Sequence, residues 1–164
     1  MLYNLPKGEI VFLTQAEADI VKDALKDLEA EKLKEDYYKR DSKDIAGRFE
    51  TGWLGEMAVC KFLGLPAPDF TIGCSYDFNN PDLPNGTGVK TSVRDFHTVA
   101  KYNSYPQILV KKHSLLKYEI YGVVSAADLE SKGNINLITN PDLKARGTKV
   151  GFNNYELCKP IKKD

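Results

Sequence analysis

The chain has 164 residues, 42% of them hydrophobic, which predicts one domain built around a single core. Its 23 basic and 23 acidic side chains cancel, which excludes a uniformly basic coat for nucleic acid. No apolar run reaches the roughly 18 residues of a membrane-spanning helix, and Met1 to Lys7 lacks the basic-then-apolar layout of a secretory leader.

Charge is unevenly placed. Residues 1–100 carry 12 basic and 17 acidic side chains, and residues 101–164 carry 11 basic and 6 acidic. A neutral total can therefore hide a basic face set against an acidic pocket. Cys60, Cys74 and Cys158 are odd in number, widely spaced and in apolar surroundings, so they are read as buried free thiols in a reducing, cytoplasmic compartment.

Residues 8–13 form a short apolar run that suits a strand. Thr14 and Glu17 make a capping box that opens a helix, with Ile20, Val21, Ala24, Leu25 and Leu28 as its apolar stripe. The pairs Glu35–Lys39 and Asp36–Arg40 extend it as a solvated face, and Asp41-Ser42-Lys43-Asp44 breaks the pattern. A second helix is expected from Ile45 to Leu63, stopped by Gly64 and Pro66. Ile45, Phe49, Trp53, Met57 and Cys60 face its core side, with Glu56 at the edge of that stripe. Gly52 and Gly55 each cost the helix about 1 kcal/mol relative to Ala. A close backbone approach beside Glu56 would account for them.

Residues 69–79 alternate and read as a strand. Phe70, Ile72, Cys74, Tyr76 and Phe78 take one face; Thr71, Gly73, Ser75 and Asp77 take the other. The segment from Asn79 to Gly86 is rich in turn residues, and Asn85-Gly86 marks a tight reversal. A strand from Thr87 to Phe96 follows, with Gly88, Lys90, Ser92 and Arg94 on its polar face. Residues 97–104 read as a loop. Tyr105–Lys111 and Tyr118–Ser125 read as strands, Ala126–Lys132 as a short helix closed by Gly133, and Ile135–Thr139 as a strand. A brief helix starts at Asn140-Pro141, and Lys149–Phe152 and Tyr155–Cys158 read as terminal strands. The expected divisions are a helical segment (14–63), a sheet core (69–125) and small C-terminal elements (126–164). The expected class is α/β, with a central mixed sheet flanked by helices.

Glu56, Asp77 and Lys90 thus fall on three successive elements, the last two on neighbouring strands that a reversal can bring together. Two carboxylates suit Mg²⁺, which takes hard oxygen ligands and keeps several waters. A lysine beside them would offset charge on a phosphate under attack. Taken singly, each residue also has an ordinary reading: a boundary carboxylate, a strand-end acid and a solvated lysine.

These residues resemble the PD-(D/E)xK nuclease superfamily. Gly52-Trp53-Leu54-Gly55-Glu56 is similar to its glutamate-bearing helix, Asp77 to its strand aspartate, and Gly88-Val89-Lys90 to its acid-x-lysine strand. The resemblance covers about residues 45–125, and Gln107 and Lys111 match positions that are often polar there. It implies a restriction-endonuclease-like core and a Mg²⁺-dependent nuclease, an endonuclease cleaving DNA, with Mn²⁺ as a substitute ion. Glu56, Asp77 and Lys90 would be catalytic, Glu56 and Asp77 would hold the metal, and a homodimer is one assembly that would cut two strands.

One departure stands out: Gly88 occupies the position of the second acid. Asp82, in the literal Pro81-Asp82, is the candidate substitute, reaching across the turn into space that Gly88 would leave empty. Ten residues separate Asp77 from Gly88 and only five separate Asp82, so Asp77 is assigned the family's aspartate position. Ser92, Arg94, His97 and Lys111 are candidate phosphate contacts. His97 is read as a proton carrier or, more simply, as an exposed surface histidine. The alternative that Gly88 supports is an inactive protein on the same fold, binding nucleic acid or a protein partner. A third reading is an unrelated α/β domain in which these residues never meet.

Overall fold

A computed structural model describes residues 8–32, 45–70 and 81–162. The elements are β1 (Glu9–Phe12), α1 (Gln15–Lys32), α2 (Ile45–Leu63), β2 (Gly88–Ser92), β3 (His97–Ala100), β4 (Gln107–Lys112), β5 (Lys117–Val124), α3 (Ala126–Lys132), α4 (Pro141–Arg146) and β6 (Lys149–Phe152), with 3-10 turns at Ile135–Leu137 and Tyr155–Leu157. The fold is mixed α/β. Four strands form one sheet in the order β1-β5-β4-β2, and β3 pairs with β6 in a second, two-stranded sheet. In the larger sheet β2 runs parallel to β4, whereas β1–β5 and β4–β5 are antiparallel.

The N-terminal elements follow their local signals. Thr14 N–H donates to Glu17 Oε1 at 2.8 Å and Glu17 N–H donates back to Thr14 Oγ1 at 3.1 Å, which closes the expected capping box. The Lys61 ammonium donates to Glu17 and to the Phe12 carbonyl, so the last turn of α2 is tied to the start of α1. The buried stripe of α1 is Ala18, Val21 and Leu25, with Ala24 packed at its side. Ile20 was expected in that stripe but is 49% exposed. It sits one residue, or about 100° of helix rotation, from Val21 and so faces away from α2. The expected charged extension and break at 35–44 lie outside the described residues.

Helix α2 has the predicted bounds. Gly64 takes φ +73°, and the Leu65 N–H reaches the Cys60 carbonyl at 2.9 Å, a left-handed closure that glycine permits. Trp53, Leu54, Met57, Ala58, Val59 and Cys60 are buried, and the Trp53 ring packs between Phe49 and Phe70. This helix covers one face of the larger sheet with Val89, Ile108, Val110, Tyr118 and Ile120 beneath it. Leu109 and Val124 point to the other face. There they meet Val99, Leu129, Val150, Phe152 and Tyr155 from the small sheet, α3 and the last 3-10 turn. Tyr121 is the extra residue of a bulge between β4 and β5, where Gly122 takes φ +130° and lies against the Lys159 carbonyl.

Four local expectations change. The strand from residue 87 stops at Ser92, because the next residues bend and Ser92 Oγ closes the turn. The supposed loop after it begins with β3, and both segments expected as strands at 135–139 and 155–158 contain 3-10 turns. Asn134 Oδ1 caps the first of these turns through Asn136 N–H. Of the strand expected at 69–79, residues 69 and 70 are described and belong to no strand, and the rest, with Cys74 and Asp77, lies outside the described residues. Cys60 is buried and Cys158 half-buried, both as free thiols. No helix among the described residues is long and apolar enough to cross a membrane.

Candidate metal and phosphate site

Helix α2 crosses β2 at Gly55. A Cβ at this position would collide with the Thr91 side chain, so only glycine lets the helix sit this low. Gly52 faces open space and has no such role, which narrows the expected close approach to Gly55 alone. The contact brings the next residue, Glu56, to β2 while leaving it half-buried.

The turn before β2 delivers the second acid. Gly86 has φ +85°, Leu83 N–H donates to the Thr87 carbonyl at 3.0 Å, and Asn85 Oδ1 accepts from Thr87 N–H. Leu83 is buried, which anchors the turn and leaves Asp82 exposed beside it. Asp82 Oδ2 accepts a 2.6 Å hydrogen bond from Val89 N–H. Gly88 N–H points to β4, where it bonds to Pro106 O, so the Val89 N–H points to the opposite side of the strand. Asp82 therefore caps the side of β2 away from β4.

Glu56 and Asp82 share a hydrogen bond. Burial, and then the Asp82 charge and this bond, hold the Glu56 carboxyl far above the usual carboxylate range; Lys90 pulls it the other way. The structure thus brings Glu56 and Asp82 together, with the Lys90 charge within electrostatic reach of Glu56. Asp77, the expected third member, lies outside the described residues. Among the described residues, no three His, Cys, Asp or Glu side chains converge in a way that would hold a metal. The Gly88 position is not the empty space expected from the sequence. A Cβ there would run into the Gln107 side-chain amide and the Tyr105 ring, which already fill it.

The four candidate phosphate contacts separate. Ser92 Oγ donates to the Phe96 carbonyl at 2.7 Å and accepts from Arg94 N–H at 3.0 Å, a turn-closing role. Lys111 is ion-paired to Asp95 at 2.8 Å, which holds the Asp95 carboxyl below its usual range. Arg94 is exposed, lies over the Phe96 ring and donates to Thr139 Oγ1. It lines a shallow cleft with Thr98, Ile138, Asn140 and Leu143.

His97 does not fit a surface or phosphate-contacting role. It is 1% exposed, and its ring nitrogens lie 2.7 Å from Tyr155 Oη and 2.7 Å from the Val110 carbonyl. A carbonyl only accepts, so Nε2 carries the proton and Nδ1 accepts from the Tyr155 hydroxyl. Burial pushes the imidazole down to about 4, which keeps it neutral. Tyr155 also stacks on Tyr121 at 4.2 Å. This buried polar network has no local sequence signal, since its members are 58 residues apart. Gln107 was legible only as a polar residue on the strand after Lys90; its packing on Gly88 depends on strand pairing.

Comparison with protein-family models, curated proteins and solved structures finds no match.

Proposed function

We propose that the chain is a Mg²⁺-dependent nuclease on a restriction-endonuclease-like core, an endonuclease that hydrolyses DNA phosphodiester bonds. The observation that carries this reading is the pairing of Glu56 with Asp82 beside β2, with the Lys90 charge in electrostatic reach of Glu56. Two hydrogen-bonded carboxyls with a lysine alongside make little sense as a stabilising device, because burying Glu56 beside another acid opposes its ionisation. They make sense as oxygen donors to a divalent cation.

The donor set fits Mg²⁺ or Mn²⁺: it is all oxygen, and Asp82 is open to solvent. Glu56 and Asp82 would hold the ion, with Asp77 as the further ligand that the sequence resemblance implies. When bound, the ion would polarise the phosphate and acidify a water. The protein's own part is positional. The Val89 N–H orients Asp82, Gly55 sets the depth of Glu56, and the Lys90 ammonium offsets charge gathering on the phosphate. Exposed Arg94, Lys101, Lys144 and Arg146 supply cations for backbone contacts that weaken as salt rises. The free thiols fit a cytoplasmic setting, and a homodimer would allow both strands to be cut.

The filled Gly88 position favours one rival, an inactive protein of the same fold that binds nucleic acid or a protein. Cleavage of supercoiled, linear and branched DNA with Mg²⁺ or Mn²⁺ separates the two. Wild-type cleavage lost in Lys90→Ala and Glu56→Gln supports the nuclease. Equal cleavage by all three proteins would overturn the assignment, and metal-independent binding without cleavage would favour the rival.

A further inference from the structure

We infer that the corner formed by Lys101, Tyr102 and Lys144 holds an unpaired stretch of DNA, with one base stacked on the Tyr102 ring and the two ammonium groups on neighbouring phosphates. This rests on the reading of DNA as the substrate and narrows it to DNA that is single-stranded beside the cut.

Backbone pairing builds the corner. Ala100 and Lys149 are register partners of β3 and β6, and the Lys101 N–H extends that ladder by donating to the Thr148 carbonyl at 2.9 Å. Thr148 follows Gly147, which closes α4 at a left-handed φ of +69° and donates its N–H to the Lys144 carbonyl at 3.2 Å. The last turn of α4, with Lys144, therefore arrives beside the end of β3. Lys101 and Lys144 are both exposed. No Asp or Glu occurs from residue 96 to 118 or from 143 to 155, so the two segments that meet here bring no carboxylate of their own. Cations without acids between them suit a polyanion.

Tyr102 selects among polyanions. At 69% exposure it is the most exposed large apolar or aromatic side chain among the described residues. Its neighbours are tied down, Lys101 through Thr148 and Asn103 through a 2.8 Å hydrogen bond from its side-chain amide to the Ala100 carbonyl. The ring is thus presented from fixed backbone, which limits the entropy lost on binding. Lys101 Nζ lies 5.6 Å from the ring centroid, so a base on the ring meets a cation beside it. An aromatic ring accepts the face of any base. In a duplex those faces are covered by the adjacent base pairs, and only an unpaired base is open to the ring.

Topology sets this corner near the Glu56–Asp82 pair. Strands β2 and β4 are parallel, so the turn before β2, with Asp82, and the loop before β4, with Tyr102, open at the same end of the sheet. The Gly88 N–H donates to the Pro106 carbonyl at 2.9 Å and joins the two connections at their base. Pro106 follows Tyr102 by four residues, a reach of at most about 14 Å. A strand held at Tyr102 can therefore continue past the Asp82 turn.

The test is fluorescence anisotropy of the full chain in EDTA, with a labelled single-stranded DNA oligonucleotide and the fully paired duplex of the same length. Wild type is expected to bind the single strand more tightly. Tyr102→Ala is expected to lose about 5- to 150-fold on the single strand, the range of one base–aromatic stack, and much less on the duplex. Tyr102→Phe keeps the ring and should keep the affinity. Lys101→Ala with Lys144→Ala should flatten the salt dependence of single-strand binding by about 1.4 in log–log slope, two phosphate contacts. Undiminished single-strand binding in Tyr102→Ala, an equal loss on the duplex, a Tyr102→Phe variant as weak as Tyr102→Ala, or tighter wild-type binding to the duplex each overturns the inference. The measurement needs no metal, so the two readings fail separately. Wild-type cleavage of DNA with Mg²⁺ alongside undiminished binding in Tyr102→Ala sinks this inference alone. Tyr102-dependent binding by a wild type that cuts nothing supports it and sinks the nuclease.

Discussion

The Asp82 carboxylate accepts a 2.6 Å hydrogen bond from the Val89 amide while sharing a second hydrogen bond with Glu56. One side chain therefore links the turn before β2, the strand itself and the preceding helix. Asp82→Ala leaves the Val89 N–H without that acceptor, and a charge-assisted bond of this kind contributes about 1.5–3 kcal/mol. Urea denaturation should show a loss towards the lower end, because water can reach the exposed Asp82 side. Asp82→Asn, which keeps an acceptor oxygen, should lose less.

Glu56 gives a pH signature. Its folded-state carboxyl titrates far above the usual 4.5, so between that value and its raised one the folded protein binds the extra proton. Protonation thus favours the folded state, and this contribution is present below pH 4.5 and lost as pH rises through the raised value. Glu56→Gln mimics the protonated acid at every pH. Denaturation curves from pH 6 to 9 should show a falling stability in the wild type and a flatter profile in Glu56→Gln. An equal slope in both would show that Glu56 is not the group responsible.

Gly52 and Gly55 of α2 should respond in opposite directions. Gly55→Ala forces the helix away from Thr91, and overpacking of this kind costs about 1–3 kcal/mol. Gly52→Ala meets nothing within 4 Å and should stabilise the helix by up to about 1 kcal/mol through propensity alone. Thermal melting of the two variants reads the contrast directly. Under the proposed metal reading, affinity for the ion should fall in Gly55→Ala only, since Glu56 moves with the helix.

His97 predicts weakening in acid. The folded ring titrates at about 4 instead of 6.5, so between these values the unfolded chain binds the proton more readily. The His97 contribution should hold above pH 6.5, fall as pH drops and level off near pH 4, a loss on the order of 3 kcal/mol for one group that runs against the gain from Glu56 over the same range. Tyr155→Phe removes the hydroxyl that serves Nδ1, and an unserved buried acceptor costs about 1–3 kcal/mol. Guanidinium denaturation at pH 7 and pH 5 of the wild type and His97→Phe would expose the His97 contribution as a loss of pH slope.

The legible parts of this fold are local. The Thr14–Glu17 box, the span of α2, its Gly64 closure, the Asn85-Gly86 reversal and the Asn140-Pro141 start each depend on residues within a few positions of one another. Such signals survive without knowledge of the rest of the chain. The candidate site was legible only in part: of the expected Glu56, Asp77 and Lys90, Asp77 lies outside the described residues, and it is Asp82, the suggested substitute acid, that interacts with Glu56. What failed were the segments whose state depends on distant partners. His97–Ala100 looks like a loop until β6 pairs with it, and Ile135–Leu137 looks like a strand although Asn134 caps it into a turn.

Sequence alone therefore determined the mixed α/β class, the helix carrying Glu56 and the glycine where a second acid was expected. Only tertiary structure decided what occupies that glycine's volume and which side chains are withdrawn from solvent. His97 is polar by type yet buried, because its partners Tyr155 and Val110 arrive from other elements. Gly88 reads as a deletion in one dimension and as a filled position in three, because β4 lies parallel beside it and brings Gln107 into register. Side-chain chemistry is written residue by residue; the volume that each side chain must share is set by strand pairing and helix depth.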